Sequence, residues 1–144
     1  LAWEGIGKRD LAFMDFVRGV IAVRRSHPLL GQPRFLHGNP NRDGEPDIAW
    51  LRTDGEAMQE GDWDNPLTRS MAALLSDGRK RLLMLFNAHH EAIEFALPSP
   101  ASAWVLLIDT AEGRVAPTGG EIGSDSLVIQ DRSLVLLEDR RGHG

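Results

Sequence analysis

The chain has 144 residues and a mass of 15.9 kDa, and its net charge is −5 with the histidines neutral. This length fits one domain of ordinary size, or one domain with a short appendage, and it excludes a (β/α)8 barrel, which needs roughly 250 residues. The net negative charge gives no sign of a basic surface for nucleic acid or anionic membranes. No apolar run reaches the roughly 18 residues that a membrane-spanning helix needs. The sequence has no cysteine, which excludes a disulfide framework and thiolate metal sites.

The first segment with a clear periodicity is helical. From Leu11 to Ile21 the apolar residues recur three and four positions apart, which predicts an amphipathic helix over Leu11–Arg25. We expect Asp10 to be its N-cap and His27-Pro28 to end it. An apolar stripe is stable only when it is buried, so this helix is expected to belong to a preceding domain or to bridge two domains.

From Leu29 onward, short apolar segments alternate with turn residues, which is the pattern of a β-sandwich or barrel. No helix is interleaved between these segments, which argues against a parallel sheet. The nearly continuous apolar run at Arg81–Phe86 predicts a central strand that is buried on both faces. The other predicted strands are Arg34–His37, Asp47–Arg52, Arg69–Leu75 (or a short helix), Ala92–Leu97, Trp104–Ile108, an edge at Val115, Leu127–Ile129 and Leu134–Leu137. The predicted fold class is mainly β, an antiparallel β-sandwich preceded by one amphipathic α-helix.

The sequence contains no convincing catalytic set. His89-His90-Glu91 suggests a metal site, but adjacent histidines in a strand point to opposite sides and no partner cluster stands elsewhere, so we predict a solvated hairpin turn. Asp109-Thr110 follows a buried strand, and we expect the Asp109 carboxylate to cap backbone amides in a turn. We therefore predict no catalytic residue, no metal ligand and no cofactor.

Three of the tryptophans can be interpreted from their positions in the sequence, and one of them, Trp63, allows a functional as well as a structural role. Trp50 and Trp104 lie in predicted strands and are expected in the core. Trp63 lies between Asp62 and Asp64, so its ring could stack on a sugar while the acids bind hydroxyl groups. The same ring could equally cover the end of the sandwich or pack on a neighbouring domain. Asp62, Trp63 and Asp64 are therefore the candidate glycan-binding residues.

Several stretches, taken together and in order, resemble the C-terminal end of bacterial glycogen debranching enzymes of the isoamylase type, in the α-amylase superfamily. They are the segment around Trp3, Asp10-Leu11 with Phe16, Arg24-Arg25-Ser26-His27-Pro28-Leu29, Asp47-Ile48-Ala49-Trp50-Leu51, Asp54-Gly55 with Met58, Asp62-Trp63, Phe86-Asn87-Ala88-His89, and Trp104 with Asp109-Thr110. Each stretch is weak alone, but together they cover nearly the whole chain.

The resemblance implies an enzyme that hydrolyses α-1,6 branch linkages in glycogen or its limit dextrins by a retaining double displacement in a (β/α)8 barrel. Residues 1–30 would hold the last helix of that barrel, and residues 31–144 would form a Greek-key-like C-terminal sandwich. The catalytic acids would precede Leu1, so no residue here inherits their roles. The implied partners are the missing barrel and, through the whole enzyme, glycogen. The implied location is cytoplasmic.

Three functions remain open from the sequence. The chain could be a structural module that packs on the barrel and stabilises it, with self-association through the exposed helix when the barrel is absent. It could be an auxiliary glycan-binding module that uses Trp63. It could also be a sandwich interaction domain unrelated to carbohydrate.

Overall fold

A computed structural model describes residues 7–41, 44–98, 103–116 and 119–140. Within these ranges a long helix precedes eight strands, and every strand pair is antiparallel. The elements are α1 (Lys8–Ser26), a 3-10 turn (Pro28–Leu30), β1 (Ile48–Leu51), α2 (Glu60–Trp63), β2 (Ser70–Ser76), β3 (Arg81–Asn87), β4 (Ile93–Ala96), β5 (Trp104–Asp109), β6 (Arg114–Val115), β7 (Ser126–Ile129) and β8 (Ser133–Asp139). The predicted fold class is confirmed.

Two sheets form the body of the domain. The larger has the order β1-β2-β3-β8-β5-β6, and the smaller consists of β4 and β7. Strand β3 is central and is buried on both faces, as its apolar run predicts. The ambiguous segment before Leu75 is a strand, because its residues Ser70 to Ser76 pair along the whole of β3.

The large sheet is covered on each face by a different layer. Between the two sheets lies the inter-sheet core, which includes Leu83, Leu85, Phe95, Trp104 and Ile129. On the opposite face, which we call the helix side, α1 and the 3-10 turn pack on Leu75, Leu82, Leu107 and Leu136. Successive residues along the strands of the large sheet therefore pack alternately into the inter-sheet core and against the helix side.

One tryptophan prediction is confirmed and the other is wrong. Trp104 is fully buried in the inter-sheet core. Trp50 is 38% exposed. It lies two residues after Ile48 in the edge strand β1, and therefore on the helix side of the sheet, where Ile48 packs but α1 does not cover Trp50.

The strand predicted at Arg34–His37 is also absent. Phe35 is 90% exposed, and the next backbone amides are not bonded to a neighbouring strand. Instead the N–H groups of His37 and Gly38 donate to the Asp47 carboxylate, at 3.0 and 2.7 Å. The side chain of the residue just before β1 thus takes the place of a strand partner.

Helix α1 begins three residues earlier than the sequence predicts. Its N-cap is Gly7, and Asp10 is instead the third helical residue, whose Oδ2 accepts a hydrogen bond from the Gly7 N–H at 3.0 Å. Asp10 therefore caps the helix from inside its first turn, as in a capping box. The helix ends at Ser26, before proline as expected, and His27 Nε2 then lies 3.3 Å from Glu138 Oε1 of β8.

The apolar stripe of α1 divides into two faces. The inner face packs Phe16, Val20 and Val23 on the helix side of the sheet. Gly19 permits this approach, because a Cβ atom there would lie 2.9 Å from Val115 Cγ2. The outer face leaves four large apolar side chains exposed, namely Leu11, Phe13, Val17 and Ile21. We call these four residues the outer face of α1.

The hydrogen bonds from His37 and Gly38 to the Asp47 carboxylate should make the free energy of unfolding depend on pH in the acid range. The His37 N–H, with help from the Gly38 N–H, holds the pKa of the Asp47 carboxyl below its ordinary value. A carboxyl with a lowered pKa in the folded state contributes stability above its unfolded pKa of about 3.9, and this contribution is lost as the pH falls through the lower folded value. We expect Asp47→Asn to flatten the loss of unfolding free energy between about pH 5 and about pH 2, measured by urea unfolding.

The flattening should be partial, because the pKa of Asp54 is lowered as well and its contribution has the same sign. Parallel pH profiles for the wild type and Asp47→Asn would contradict the prediction.

Candidate functional site

The predicted glycan-binding residues lie in and after α2. Gln59 is the N-cap of this short helix, and Asp62 Oδ2 accepts a hydrogen bond from the Gln59 N–H at 2.8 Å. The Trp63 ring packs edge-on against Trp50, with centroids 5.7 Å apart. Asp64 is exposed and has no hydrogen bond or ion pair within the described ranges. The structure therefore packs Trp63 against a second tryptophan, whereas the Asp62 carboxylate is bound to the backbone at the start of α2.

A cleft of about 280 Å³ opens at the end of the sandwich, beside Asp62. It lies between the end of β1, the loop after α2, the start of β2 and the turn after β3. Its polar lining consists of Arg52, Thr53, Asp62, Thr68, Arg69, Ser70 and His89. We call it the Arg69 cleft. Two side chains that the sequence singles out for different reasons, Asp62 and His89, thus share one cavity, whereas Trp63 does not line it.

The charges of the cleft are unequally compensated. The Arg52 guanidinium donates to Asp54 Oδ2 at 2.7 Å and lies 3.9 Å from Asp62 Oδ2. The hydrogen bond from Arg52 holds the pKa of Asp54 below its ordinary value, and Asp54 raises the pKa of Arg52 in return. Arg69 differs, since its guanidinium has no partner in the part of the chain that the structure describes. One fixed cation and one open cation therefore line the cavity.

A buried asparagine holds the floor of the cleft. Asn87 is 2% exposed at the end of β3, and its Oδ1 accepts hydrogen bonds from the Ser70 hydroxyl and the His89 N–H, both at 2.9 Å. Its Nδ2 donates to the carbonyl oxygens of Glu91 at 2.9 Å, Gln130 at 3.0 Å and Ile129 at 3.2 Å. This role of Asn87 does not follow from the sequence. The only signal was a polar residue that closes an otherwise apolar strand.

The two histidines lie in a bend after β3, where the sequence predicts a solvated hairpin turn; it is a turn but does not close a hairpin, because β3 and β4 belong to different sheets. The histidine rings do not point to opposite sides, since they stack with centroids 4.2 Å apart and planes at 25°. His89 Nδ1 accepts a hydrogen bond from the Glu91 N–H at 3.1 Å, which places the proton of a neutral ring on Nε2. The ligand atoms of His89, His90 and Glu91 lie within 4.8 Å of one another, but nearly parallel rings do not direct their lone pairs at one point. The absence of a metal stays a prediction.

Asp109 has the capping role that its position after a buried strand predicts. Its Oδ1 accepts hydrogen bonds from the N–H groups of Ala111 at 2.9 Å and Glu112 at 3.3 Å. The carboxylate is thus committed to the turn between β5 and β6.

Comparison with known proteins identifies relatives of the chain. The family model described as "Isoamylase, C-terminal" matches residues 47–138. The glycogen operon protein GlgX homolog of Mycobacterium tuberculosis is 30% identical over 156 residues, which cover 94% of this chain and 21% of that protein. The glycogen debranching enzyme of Dickeya chrysanthemi is 33% identical over 117 residues, which cover 81% of this chain and 15% of that enzyme. The chain therefore spans about a fifth or less of the length of these relatives.

Solved structures share the fold at lower identity. A MUTB variant from crystals soaked with trehalulose superposes with a TM-score of 0.51 at 18% identity, over 86% of this chain and 17% of that one. The isomaltulose synthase of Klebsiella sp. LX3 gives 0.50 at 15% identity, over 85% of this chain and 17% of that one. At such identity the likeness concerns the fold alone.

The matched region of the family model begins at the residue before β1 and ends within β8, so it takes in all eight strands. Trp3, the first stretch of the sequence resemblance, lies outside the described residues. None of the helices in the described ranges has the length and hydropathy of a membrane span. On the extent of the family match, the chain belongs to the isoamylase C-terminal family.

Proposed function

We propose that the chain is the C-terminal accessory domain of a glycogen debranching enzyme, and that it packs on the catalytic barrel and stabilises it. The names of the mycobacterial and Dickeya relatives support this, as does the small share of their length that the chain covers. The complete enzyme would hydrolyse α-1,6 linkages of glycogen or limit dextrin in the cytoplasm, and its catalytic acids would lie outside this chain. The family match favours this function over an interaction domain unrelated to carbohydrate.

The observation that carries the proposal is the outer face of α1. Phe13 is 65% exposed and Leu11 is 51% exposed, although the other side of the helix is packed on the sheet. A helix that is apolar on two sides is typical of an element buried between two bodies. Exposed apolar patches of this kind mark interaction sites on soluble domains. We infer that residues 1–30 hold the last barrel helix and that α1 joins the barrel to the sandwich.

The uncovered part of the large sheet lies on the same side of the domain. Trp50 and Trp63 pack together there, and half-buried Phe86 and Leu134 belong to the helix side of neighbouring strands. We infer that the barrel covers both the outer face of α1 and this part of the sheet. The position of the two tryptophans therefore favours packing for Trp63, with the barrel as the occupant.

The test joins this chain to the part of the mycobacterial relative that precedes the matched segment. We expect the fusion to hydrolyse α-1,6 linkages, and the chain alone to hydrolyse none. Phe13→Asp with Val17→Asp places two charges in the dry interface, so the double variant should lose about 2 kcal/mol of unfolding free energy in the fusion and about tenfold in activity. Activity on a branched dextrin and urea unfolding measure the two effects.

Phe35→Asp is the matched control, since this exposed phenylalanine lies outside the outer face of α1. It should change neither measurement. In the isolated chain the same outer face should drive self-association, and the double variant should shift the mass measured by light scattering to that of the monomer. A fusion that tolerates the double variant as well as it tolerates Phe35→Asp would refute the packing role.

A further inference from the structure

We propose that the Arg69 cleft is a binding site for an α-glucan chain, separate from the barrel that the proposed function assigns to the complete enzyme. The choice of α-glucan as the ligand rests on that proposed function, and the presence of a binding site rests on the cleft itself. Neither Trp63 nor the outer face of α1 takes part in it.

Unused hydrogen-bonding groups converge on the cleft. The Arg69 guanidinium, the Thr53 hydroxyl and His89 Nε2 have no partner in the described ranges. A neutral His89 ring carries its proton on Nε2, because Nδ1 accepts from the Glu91 N–H, so Nε2 can donate. Asp62 uses Oδ2 as a helix cap and near Arg52, which leaves Oδ1 as an acceptor. A sugar hydroxyl donates and accepts at once, so it matches a lining that presents both kinds of group.

The charge of the cleft favours a neutral ligand over an anion. Arg52 is held by Asp54 and faces Asp62, so its charge is already compensated. A phosphate would meet the Asp62 carboxylate within the same cavity. Arg69 has no carboxylate partner of its own, and its N–H donors can reach neighbouring sugar hydroxyls, while the two arginines and the carboxylates of Asp54 and Asp62 together carry no net charge.

The shape fits a segment of a chain. The volume of about 280 Å³ lies just below the usual range of about 300–1,000 Å³ for sites that enclose a whole small ligand. The cleft also contains apolar side chains, among them the largely exposed Leu67 and the half-buried Ile93, on which the C–H faces of a pyranose ring can pack. Because the cavity is open to solvent, a glucan chain can extend out of it.

The floor of the site is set before any ligand arrives. Asn87 Oδ1 fixes the Ser70 hydroxyl and the backbone of His89, and Asn87 itself is tied to β7 through the Ile129 carbonyl. Side chains that are already held by packing and hydrogen bonds lose little conformational entropy when a ligand binds. A ligand that makes only weak individual contacts can therefore still be bound.

Calorimetric titration of the 144-residue chain with maltoheptaose tests the proposal. We expect a Kd on the order of 1 mM, about tenfold weaker binding for Arg69→Ala, and about threefold weaker binding for Thr53→Val, which replaces the hydroxyl by a methyl group of similar size. Arg34→Ala is the matched control, because Arg34 is an exposed arginine outside the cleft. It should bind as the wild type does. Circular dichroism of each variant confirms that the fold is retained.

Three results would overturn the proposal. The first is no heat of binding at about 10 mM maltoheptaose. The second is a pattern of binding that does not depend on Arg69, seen as equal affinities of Arg69→Ala and Arg34→Ala. If sugar binding is instead lost only in the Trp50→Ala, Trp63→Ala double variant, the tryptophan pair is the glycan site. The third is displacement of the sugar by inorganic phosphate at equal concentration, which would identify an anion site. The Phe13→Asp, Val17→Asp variant leaves the cleft intact, so failure here and failure of the packing role are separate outcomes.

Discussion

Replacing Trp104 by alanine is expected to lower the free energy of unfolding by about 3 to 5 kcal/mol. The indole is fully buried between the two sheets, and its Nε1–H donates to the Pro98 carbonyl oxygen at 3.2 Å. The Arg81 guanidinium lies 5.3 Å from the ring centroid and is paired with Asp139 at 3.1 Å. The substitution therefore creates a cavity, removes the hydrogen bond to a carbonyl and takes away the face on which a half-buried arginine rests.

Urea unfolding followed by far-ultraviolet circular dichroism measures this loss, and Trp63→Ala is its control. Trp63 is 51% exposed, so removing the same side chain there should cost less than about 1 kcal/mol in the isolated chain. Equal losses for the two variants would mean that the inter-sheet core does not depend on Trp104 as the structure indicates.

These two tryptophans, with Trp50, show what a sequence can predict about burial. Alternating and continuous apolar runs identify β3, β4, β5 and β8, because the period of side-chain directions is a local property of a strand. The same pattern places Trp50 and Trp104 in strands. Whether a strand lies at the edge depends on sheet order, which is set by pairing between distant segments. Trp50 is exposed for that reason, since β1 is an edge strand.

The helix gives a similar lesson. Its spacing correctly predicts an amphipathic helix before Pro28, because that pattern too is local. The spacing does not reveal that Phe16 and Phe13 lie on different faces, one packed on the sheet and one exposed. Nor does it distinguish Asp10 as a first-turn cap from Asp10 as the N-cap, since both positions favour a carboxylate near the free amides.

The candidate site was harder to predict than the fold. Asp62 and His89 stand out in the sequence separately, whereas Arg69 does not stand out at all. They meet because β2 pairs with β3 over its full length, so that the start of β2 lies beside the end of β3, and because α2 folds over the end of β1. A cleft made by the ends of several segments has no sequence motif. Its best local signal is the polar residue Asn87, which ends the most apolar strand.

Asn87→Asp is expected to cost about 3 to 5 kcal/mol of unfolding free energy, although it changes a single atom type. The carboxylate keeps the acceptor role toward Ser70 and His89. It replaces the donor, however, so an oxygen would face the carbonyl oxygens of Glu91, Ile129 and Gln130 at the distances where Nδ2 now donates. The substitution leaves three carbonyl oxygens without a donor and places a charge at a site that is 2% exposed. Each of these two changes destabilises the folded state.

Asn65→Asp separates this effect from the chemistry of the substitution. Asn65 is exposed and uses its Oδ1 to accept from the Leu67 N–H at 2.9 Å, a role that aspartate fills equally well. We expect a change within about 0.5 kcal/mol for this control, measured by urea unfolding at neutral pH. Because Asn87 positions Ser70 and His89, its variant should also weaken maltoheptaose binding under conditions where it is still folded, whereas Asn65→Asp should not. Similar stabilities for the two variants would show that the hydrogen bonds of Asn87 do not hold the β3–β4 turn to β7, and the floor of the Arg69 cleft would then need another origin.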